Sequence, residues 1–182
     1  MDDDADKALV ERFRSGDREA FTELVVRYQR PIYNAAFWVL RRPEDASDVT
    51  QIVFLRVAER LDDYDPRYKF FSWIYRIAVN ESLNMLRRGK REEQIDDDAD
   101  FAGSPHDDPE RRLDAVQLSA QLRAALLRLP TAARMVISLR HFSDCSYEEI
   151  GQILEIDEKT VKSRLYEARQ RLREMLKDLR PG

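Results

Sequence analysis

Residues 146–172, SYEEIGQILEIDEKTVKSRLYEARQRL, contain the pattern that decides the fold of the second half of this chain. Ser146, followed three residues later by Glu149, is a capping box and predicts that a helix begins there. Asp157 can cap a second helix, because its carboxylate accepts hydrogen bonds from the free N–H groups of a first turn. The stretch therefore predicts a short helix, a tight turn and a longer helix.

The longer helix has one apolar face and one polar face. Apolar residues recur at helical spacing from Val161 to Leu172 and form an inward stripe. Gly151 in the short helix is small enough for the longer helix to cross it closely. Two helices joined in this way are typical of a helix-turn-helix that enters the DNA major groove. The outward face carries Lys159, Lys162, Ser163, Tyr166, Glu167 and Gln170.

Charge distinguishes DNA binding from the plainer interpretation, a solvated helical hairpin. From Lys159 to Lys177 there are seven Lys and Arg against two Asp and Glu, a net of +5 in a chain whose total is −4. A cationic element on a mildly acidic chain suits contact with phosphates. The charge therefore favours DNA binding by this helix.

Composition indicates the fold class and compartment. The chain has 182 residues, 36% of them charged and only five Gly, which predicts an all-α protein of two small helical domains. No stretch approaches the roughly 18 apolar residues of a membrane span, and the acidic N-terminus is unlike a signal peptide. We expect a cytoplasmic protein without direct membrane insertion. Cys145 is the only cysteine, so no internal disulfide or multi-cysteine metal site can form, and no metal or cofactor is expected.

A change in composition marks the domain boundary. Residues 93–110 are acidic, poor in apolar residues and without periodicity, so they bury too little surface to offset the cost of ordering the backbone. They predict a flexible acidic linker between a first domain, residues 1–92, and a second, residues 111–182. In the first domain we expect Pro31 to interrupt a helix, and Leu55 to be among the buried residues of a helix that starts at Pro43.

A further helix is predicted from Phe70 to about Arg88, with two distinct faces. One face is apolar. The other combines an aromatic ring, arginines and amides, which suits single-stranded nucleic acid through stacking, phosphate contacts and base edges. A tryptophan at helical spacing is more often a core residue, so this prediction depends on the whole stripe and the basic residues that follow it. The stripe is Trp73, Arg76, Asn80, Asn84 and Arg87.

Four segments, in order, resemble those of bacterial group 4 sigma factors, the extracytoplasmic-function (ECF) type with two domains. DREAFTEL at residues 17–24 resembles the start of the first domain, and PEDASDVTQIVFL at residues 43–55 resembles its polymerase-binding helix. FSWIYRIAVN at residues 71–80 resembles the promoter-melting helix. The second domain is represented by LP at 129–130, YEEIG at 147–151 and TVKSRLYEAR at 160–169. The resemblance extends from about residue 7 to residue 177.

This resemblance implies a subunit that binds core RNA polymerase, directs it to promoters and helps to melt them. The first domain would bind the polymerase clamp and the −10 element, and the second the flap and the −35 element. An anti-sigma factor is the further partner that the family implies. The polymerisation chemistry would belong to the core enzyme, so the chain itself is not expected to be an enzyme.

The resemblance also implies roles for particular residues. Asp48 and Gln51 match positions that meet the clamp. Asn80 matches a position that reads a flipped base, and Tyr64 and Lys69 match the loop that forms a pocket for that base. The residues implied at the −35 element are Lys159, Thr160, Lys162, Ser163, Arg164, Tyr166 and Glu167.

Two positions depart from the family pattern. Ile52 stands where the family commonly has Glu, which removes one polar contact from the clamp-binding helix. Glu167 stands where the family often has a basic residue, which should alter −35 reading without abolishing DNA binding.

Two other classes of protein share parts of this sequence pattern. A conventional helix-turn-helix regulator with a helical sensor domain explains the second domain but not the stripe that begins at Trp73. A di-iron helical-bundle enzyme needs Glu three residues before a ligating His. His106 and His141 are preceded at that spacing by Gly103 and Ser138, which argues against such an enzyme.

Overall fold

The computed structural model describes residues 3–93 and 120–177, and every regular element in these ranges is helical. This confirms the predicted all-α fold class. Most of the predicted linker, from residue 94 onward, lies outside the described residues. None of the helices in the two ranges is long and apolar enough to cross a bilayer. The α-helices are α1 (Asp3–Arg14), α2 (Arg18–Leu40), α3 (Pro43–Arg60), α4 (Phe70–Glu93), α5 (Ala120–Arg128), α6 (Thr131–His141), α7 (Tyr147–Leu154) and α8 (Glu158–Lys177).

Helices α1 to α4 form a first helical group around α2. Asp17 caps α2, because its side chain accepts hydrogen bonds from the N–H groups of Glu19 and Ala20 at 2.9 and 3.4 Å. Tyr28 lies fully buried near the middle of α2, with its ring 5.5 Å from that of Phe70 in α4. The N-cap therefore fixes where α2 begins, and aromatic packing holds it against α4.

The predicted interruption at Pro31 was wrong, because α2 runs unbroken from Arg18 to Leu40. A proline inside a helix costs roughly 3 kcal/mol or more through its missing N–H and its ring. Ile32 and every residue from Ala35 to Leu40 are buried. Since burying one large apolar side chain contributes roughly 1.5–3 kcal/mol, packing of the residues after the proline outweighs its local cost.

Helices α5 to α8 form a second helical group that contains the predicted helix-turn-helix. The capping box is present: Ser146 N–H donates to Glu149 Oε2 at 2.6 Å, and Glu149 N–H donates to Ser146 Oγ at 3.1 Å. Asp157 Oδ1 accepts from the N–H of Thr160 at 2.6 Å, as expected of the cap of α8. The inward stripe of α8 is also confirmed, with Val161, Leu165 and Ala168 buried and Leu172 half-buried.

Gly151 is needed for the turn and not for the crossing of α8. A Cβ at this position would lie 2.7 Å from the carbonyl oxygen of Ile156, in the turn between α7 and α8. The N–H of Ile156 also donates to the carbonyl of Gly151 at 3.0 Å. The turn thus folds directly onto the glycine, which explains the need for a small residue.

The two groups pack against each other, α7 on α4 and α6 on α2. We call this the closed arrangement. Trp38 of α2 stacks on Phe142, just after α6, with ring centroids 5.1 Å apart and planes 8° from parallel. Tyr75 Oη of α4 donates a hydrogen bond to Ser143 Oγ at 3.2 Å. Apolar contacts between the groups are therefore combined with directional polar ones.

A buried guanidinium lies at the centre of this interface. Arg134 of α6 is only 2% exposed. It donates to the carbonyls of Trp38 and of Val39, the latter at 3.1 Å, and to the carbonyl of Leu129 at 2.7 Å. Carbonyls at the C-terminal end of a helix have no partner within that helix. Arg134 therefore caps the end of α2 and the chain just after α5 with one side chain.

Burial, together with the positive charge of Arg41, lowers the pKa of the Arg134 guanidinium to about 10. The group is still protonated at neutral pH, so all of its nitrogens remain donors.

Candidate nucleic-acid and polymerase interfaces

The outward face of α8 is open to solvent. Lys159, Lys162, Ser163, Tyr166 and Glu167 are exposed there, and Tyr166 exposes 65% of its surface. Thr160 and Arg164, which the resemblance adds to this set, are half-buried. The structure thus places all seven predicted −35 residues on one helix, five of them exposed.

Contacts with nearby residues fix the positions of two side chains on this face of α8. Thr160 Oγ1 donates to Asp157 Oδ2 at 3.1 Å, so this hydroxyl helps to cap α8. Lys162 pairs with Glu158 at 3.3 Å, and its Nζ lies 5.7 Å from the ring centroid of Tyr147. These contacts hold Lys162 beside the turn without covering it.

Glu167 Oε1 accepts a weak hydrogen bond from Ser163 Oγ at 3.4 Å. In the part of the chain that the structure describes, its side chain contacts Ser163 rather than Arg164 or Arg171, the ion-pair partners that a purely structural role would use. Its carboxylate is therefore available to accept a hydrogen bond in the major groove.

On α4 the predicted stripe separates into two parts. Arg76, Asn80, Asn84 and Arg87 are exposed and follow one face. Trp73 is 9% exposed, with its ring centroid 5.6 Å from that of Tyr64 and 5.7 Å from that of Phe70. Its predicted placement on the outer face was therefore wrong. The loop before α4 folds back over this position, so a residue at the edge of the helix face joins the core.

Tyr64, predicted to belong to a base pocket, is also buried, at 2% exposed. Its Oη donates to the carbonyl of Tyr68 at 2.8 Å. Burial, with the nearby carboxylates of Asp3 and Asp6, raises the pKa of Tyr64 to about 12, so it stays a neutral donor. In the closed arrangement the buried Tyr64 side chain supports the loop from the core side. Lys69, at the other end of the loop, is exposed.

Arg14, which no sequence pattern singled out, holds this loop. Its Nη2 donates to the carbonyls of Leu61 and Tyr64 at 3.0 and 2.9 Å. These partners lie 47 and 50 residues further along the chain. No local sequence signal reports such a contact.

The third surface lies on α3. Asp48 and Gln51 are exposed, and Leu55, one turn further on, is 63% exposed. The prediction that Leu55 is buried was therefore wrong. Ile52 is half-buried beside this stripe, so it points partly into the core. Asp48, Gln51 and Leu55 therefore share one exposed face of α3.

Both helical groups match families of known proteins. Residues 24–92 match Sigma-70 region 2, and residues 119–172 match Sigma-70, region 4. The ECF RNA polymerase sigma factor SigW of Bacillus subtilis is 32% identical, covering 95% of this chain and 97% of the relative. The chain belongs to the ECF sigma factors. The sigma-E factor of Escherichia coli K12 is 36% identical over 91% of each chain.

Solved sigma factor structures share the fold of this sigma factor. CnrH, solved in complex with the cytosolic domain of CnrY, has a TM-score of 0.71 at 27% identity and covers 96% of this chain and 98% of its own. RpoE from Bartonella quintana, solved with the anti-sigma factor NepR, has a TM-score of 0.70 at 23% identity and covers 86% and 96%. The relatives extend over both helical groups, which confirms a promoter-directing sigma factor.

The two predicted nucleic-acid surfaces of this sigma factor are not equally exposed. Lys69 Nζ lies 2.7 Å from Glu149 Oε1 of α7, and Arg76 Nη1 lies 4.0 Å from Glu155 Oε1. Burial alone would raise the pKa of Glu149, but hydrogen bonds from Lys69 and from the Ser146 N–H hold that pKa below its usual value. Glu149 is therefore ionised at neutral pH. Two cations of the predicted −10 surface are paired with carboxylates of the second group, whereas the outward face of α8 is open.

Proposed function

We propose that residues 1–92 of this sigma factor bind the polymerase clamp and the −10 element, and that residues 111–182 bind the flap and the −35 element. The open, basic face of α8 carries the −35 part of the proposal. Arg76, Asn80, Asn84 and Arg87 on α4, with Lys69 before it, support the −10 part. Asp48 and Gln51 on α3 support clamp binding.

A conventional regulator would use the helix-turn-helix alone and need another sigma factor to start transcription. The exposed amides and arginines of α4 favour the sigma mechanism, because a regulator has no use for contacts to a melted strand. The chain is a transcription initiation factor, and we propose no catalytic activity for it. We infer that it acts in the cytoplasm with the polymerase.

An anti-sigma factor is part of the proposal. CnrH and the Bartonella quintana RpoE were each solved with a protein partner. We infer that this sigma factor also binds an inhibitory protein of the anti-sigma class, which would compete for the polymerase-binding surfaces of both groups.

Promoter binding is expected to depend on core polymerase. The chain carries a net charge of −4, with one clearly cationic helix, so the free protein has little electrostatic attraction for duplex DNA. A mobility shift on promoters selected with reconstituted holoenzyme should show tight specific binding only when core enzyme is present. Run-off transcription from the same promoters should need only core enzyme and this chain. Equally tight specific binding by the free protein, without run-off product, would support the regulator instead.

Replacing Asn80 with Ala is expected to slow promoter opening. If this exposed amide contacts a base of the melted strand, its loss costs roughly 1–3 kcal/mol, or about 5- to 150-fold in open-complex formation. Permanganate footprinting on duplex promoters measures the effect. Binding to core polymerase should not change.

Gln29→Ala is the matched control, because Gln29 is another exposed helix amide outside the proposed surface. Unaltered opening by Asn80→Ala would remove Asn80 from the −10 surface. A fall in thermal stability, larger than that of the control, would make Asn80 a structural residue.

Replacing Glu167 with Arg is expected to change which −35 bases are preferred. A carboxylate in the major groove accepts from the amino group of cytosine, whereas arginine pairs with guanine. Selection from a randomised −35 library should show a new preference at one or two adjacent positions. Glu174→Arg makes the same charge change further along α8, at an exposed position, and should not alter the preference. A uniform gain in affinity with unchanged bases would mean that Glu167 only sets the local charge.

A further inference from the structure

Two carboxylates of the second helical group contact cations of the proposed −10 surface. Glu149 contacts Lys69 at 2.7 Å, and its side chain is only 17% exposed although it is charged. Glu155, the residue that follows α7, contacts Arg76 at the longer distance of 4.0 Å. A carboxylate and a phosphate both offer anionic oxygens to lysine and arginine. The contacts made by α7 therefore resemble those expected from a DNA strand.

The closed arrangement and a promoter complex are incompatible on geometric grounds. The −35 and −10 elements are named for positions about 25 base pairs apart, which is about 85 Å along B-form DNA. In the closed arrangement, α4 packs directly against α7, and Lys69, just before α4, contacts Glu149 of α7 at 2.7 Å. One chain therefore cannot hold both elements while its two groups remain docked.

The chain is long enough to open without unfolding either group. Twenty-six residues lie between Glu93 and Ala120. A chain of that length can reach about 90 Å when fully extended. The two groups can therefore separate over the distance that the promoter requires while each keeps its own helices.

We propose that the second helical group is an intramolecular inhibitor of the −10 surface, in which Glu149 and Glu155 take the place of DNA phosphates on Lys69 and Arg76. Arg134 holds this closed arrangement by capping α2 from the second group. The inference rests on the −10 assignment made under Proposed function. Single-stranded DNA and the second group then compete for the same cations, so each weakens the binding of the other.

The central test removes one carboxylate charge from the full-length chain. Glu149→Gln keeps the capping box, because glutamine serves at that position as well as glutamate. The probe is a fluorescein-labelled pool of random-sequence single-stranded 12-mers, followed by anisotropy at low salt. An ion pair that is partly exposed contributes little, so we expect Glu149→Gln to bind the pool about two- to fivefold more tightly than wild type.

Two comparisons make the result specific. Glu174→Gln removes an equal charge from an exposed position on α8, away from the interface, and should leave binding nearly unchanged. In a Lys69→Gln background the gain from Glu149→Gln should disappear, because the cation that it releases is absent. An equal gain from Glu174→Gln, or a gain that survives without Lys69, would overturn the proposal, as would no gain at all.

Opening itself is measured by small-angle X-ray scattering, which does not depend on DNA. Arg134→Lys retains the charge but not the planar fork that reaches two helix ends. It should enlarge the radius of gyration and also tighten binding of the 12-mer pool. Expansion without tighter binding would show that docking does not mask the −10 surface. No expansion would show that Arg134 does not hold the groups together. Failure of run-off transcription by wild type and all variants would instead overturn the proposed function.

Discussion

Replacing Arg134 with Ala is expected to lower the free energy of unfolding by about 3 kcal/mol, because buried carbonyls lose their donor and each unpaired group costs roughly 1–3 kcal/mol. The carbonyls of Trp38, Val39 and Leu129 lose these hydrogen bonds together. Truncation also leaves a cavity at a position that is 2% exposed. Urea denaturation followed by circular dichroism measures the change.

Arg128→Ala provides the control for this experiment. Arg128 is an exposed arginine in the last turn of α5, close in sequence to the same interface. Surface substitutions of this kind usually change stability by no more than about 0.5 kcal/mol. If Arg134→Ala were as mild as Arg128→Ala, water would be capping the helix ends as well as the guanidinium does.

Replacing Gly151 with Ala is expected to destabilise the second group and to abolish −35 recognition. The new Cβ would lie 2.7 Å from the carbonyl oxygen of Ile156, and this oxygen belongs to backbone that cannot rotate away. Overpacking of this kind costs roughly 1–3 kcal/mol. Because Ile156 also closes the turn by donating to the Gly151 carbonyl at 3.0 Å, relief of the clash would tilt α8. Thermal unfolding and −35-dependent run-off transcription should both show the loss.

The same substitution at Gly89 should have the opposite effect on stability. Gly89 lies inside α4, and a Cβ there meets nothing within 4 Å. Alanine in a helix interior is favoured over glycine by roughly 0.5–1 kcal/mol, so Gly89→Ala should stabilise the protein. If both variants were stabilised, the turn at Gly151 would be more pliable than its close contact suggests.

The sequence was informative wherever structure is set by neighbours in the chain. Local hydrogen bonds form the capping box at Ser146 and the cap at Asp157. Periodic burial defines the inward stripe that starts at Val161. The start of α3 at Pro43 is equally local. These features were predicted at the correct residues because only a few positions along the chain decide them.

The sequence was misleading where segments distant in the chain determine which side chains are buried. Trp73 joins the core because the loop containing Tyr64 folds over it, and Leu55 is exposed because no helix in the described residues covers its side of α3. No local pattern singles out Arg134, because its partners Trp38 and Val39 lie 96 and 95 residues away. Periodicity reports which residues share a face, but not which faces another segment will cover.

The burial of six consecutive residues, Ala35 to Leu40, also bears on how the protein behaves in solution. The end of a single helix cannot bury all of its own side chains, and here Phe142 of the second group covers Trp38. When the two groups separate, this aromatic surface becomes exposed to solvent, and large exposed apolar patches promote association. A chain held open without a partner is expected to self-associate at high concentration. Docking of the two groups covers this surface, which would favour solubility of the free subunit.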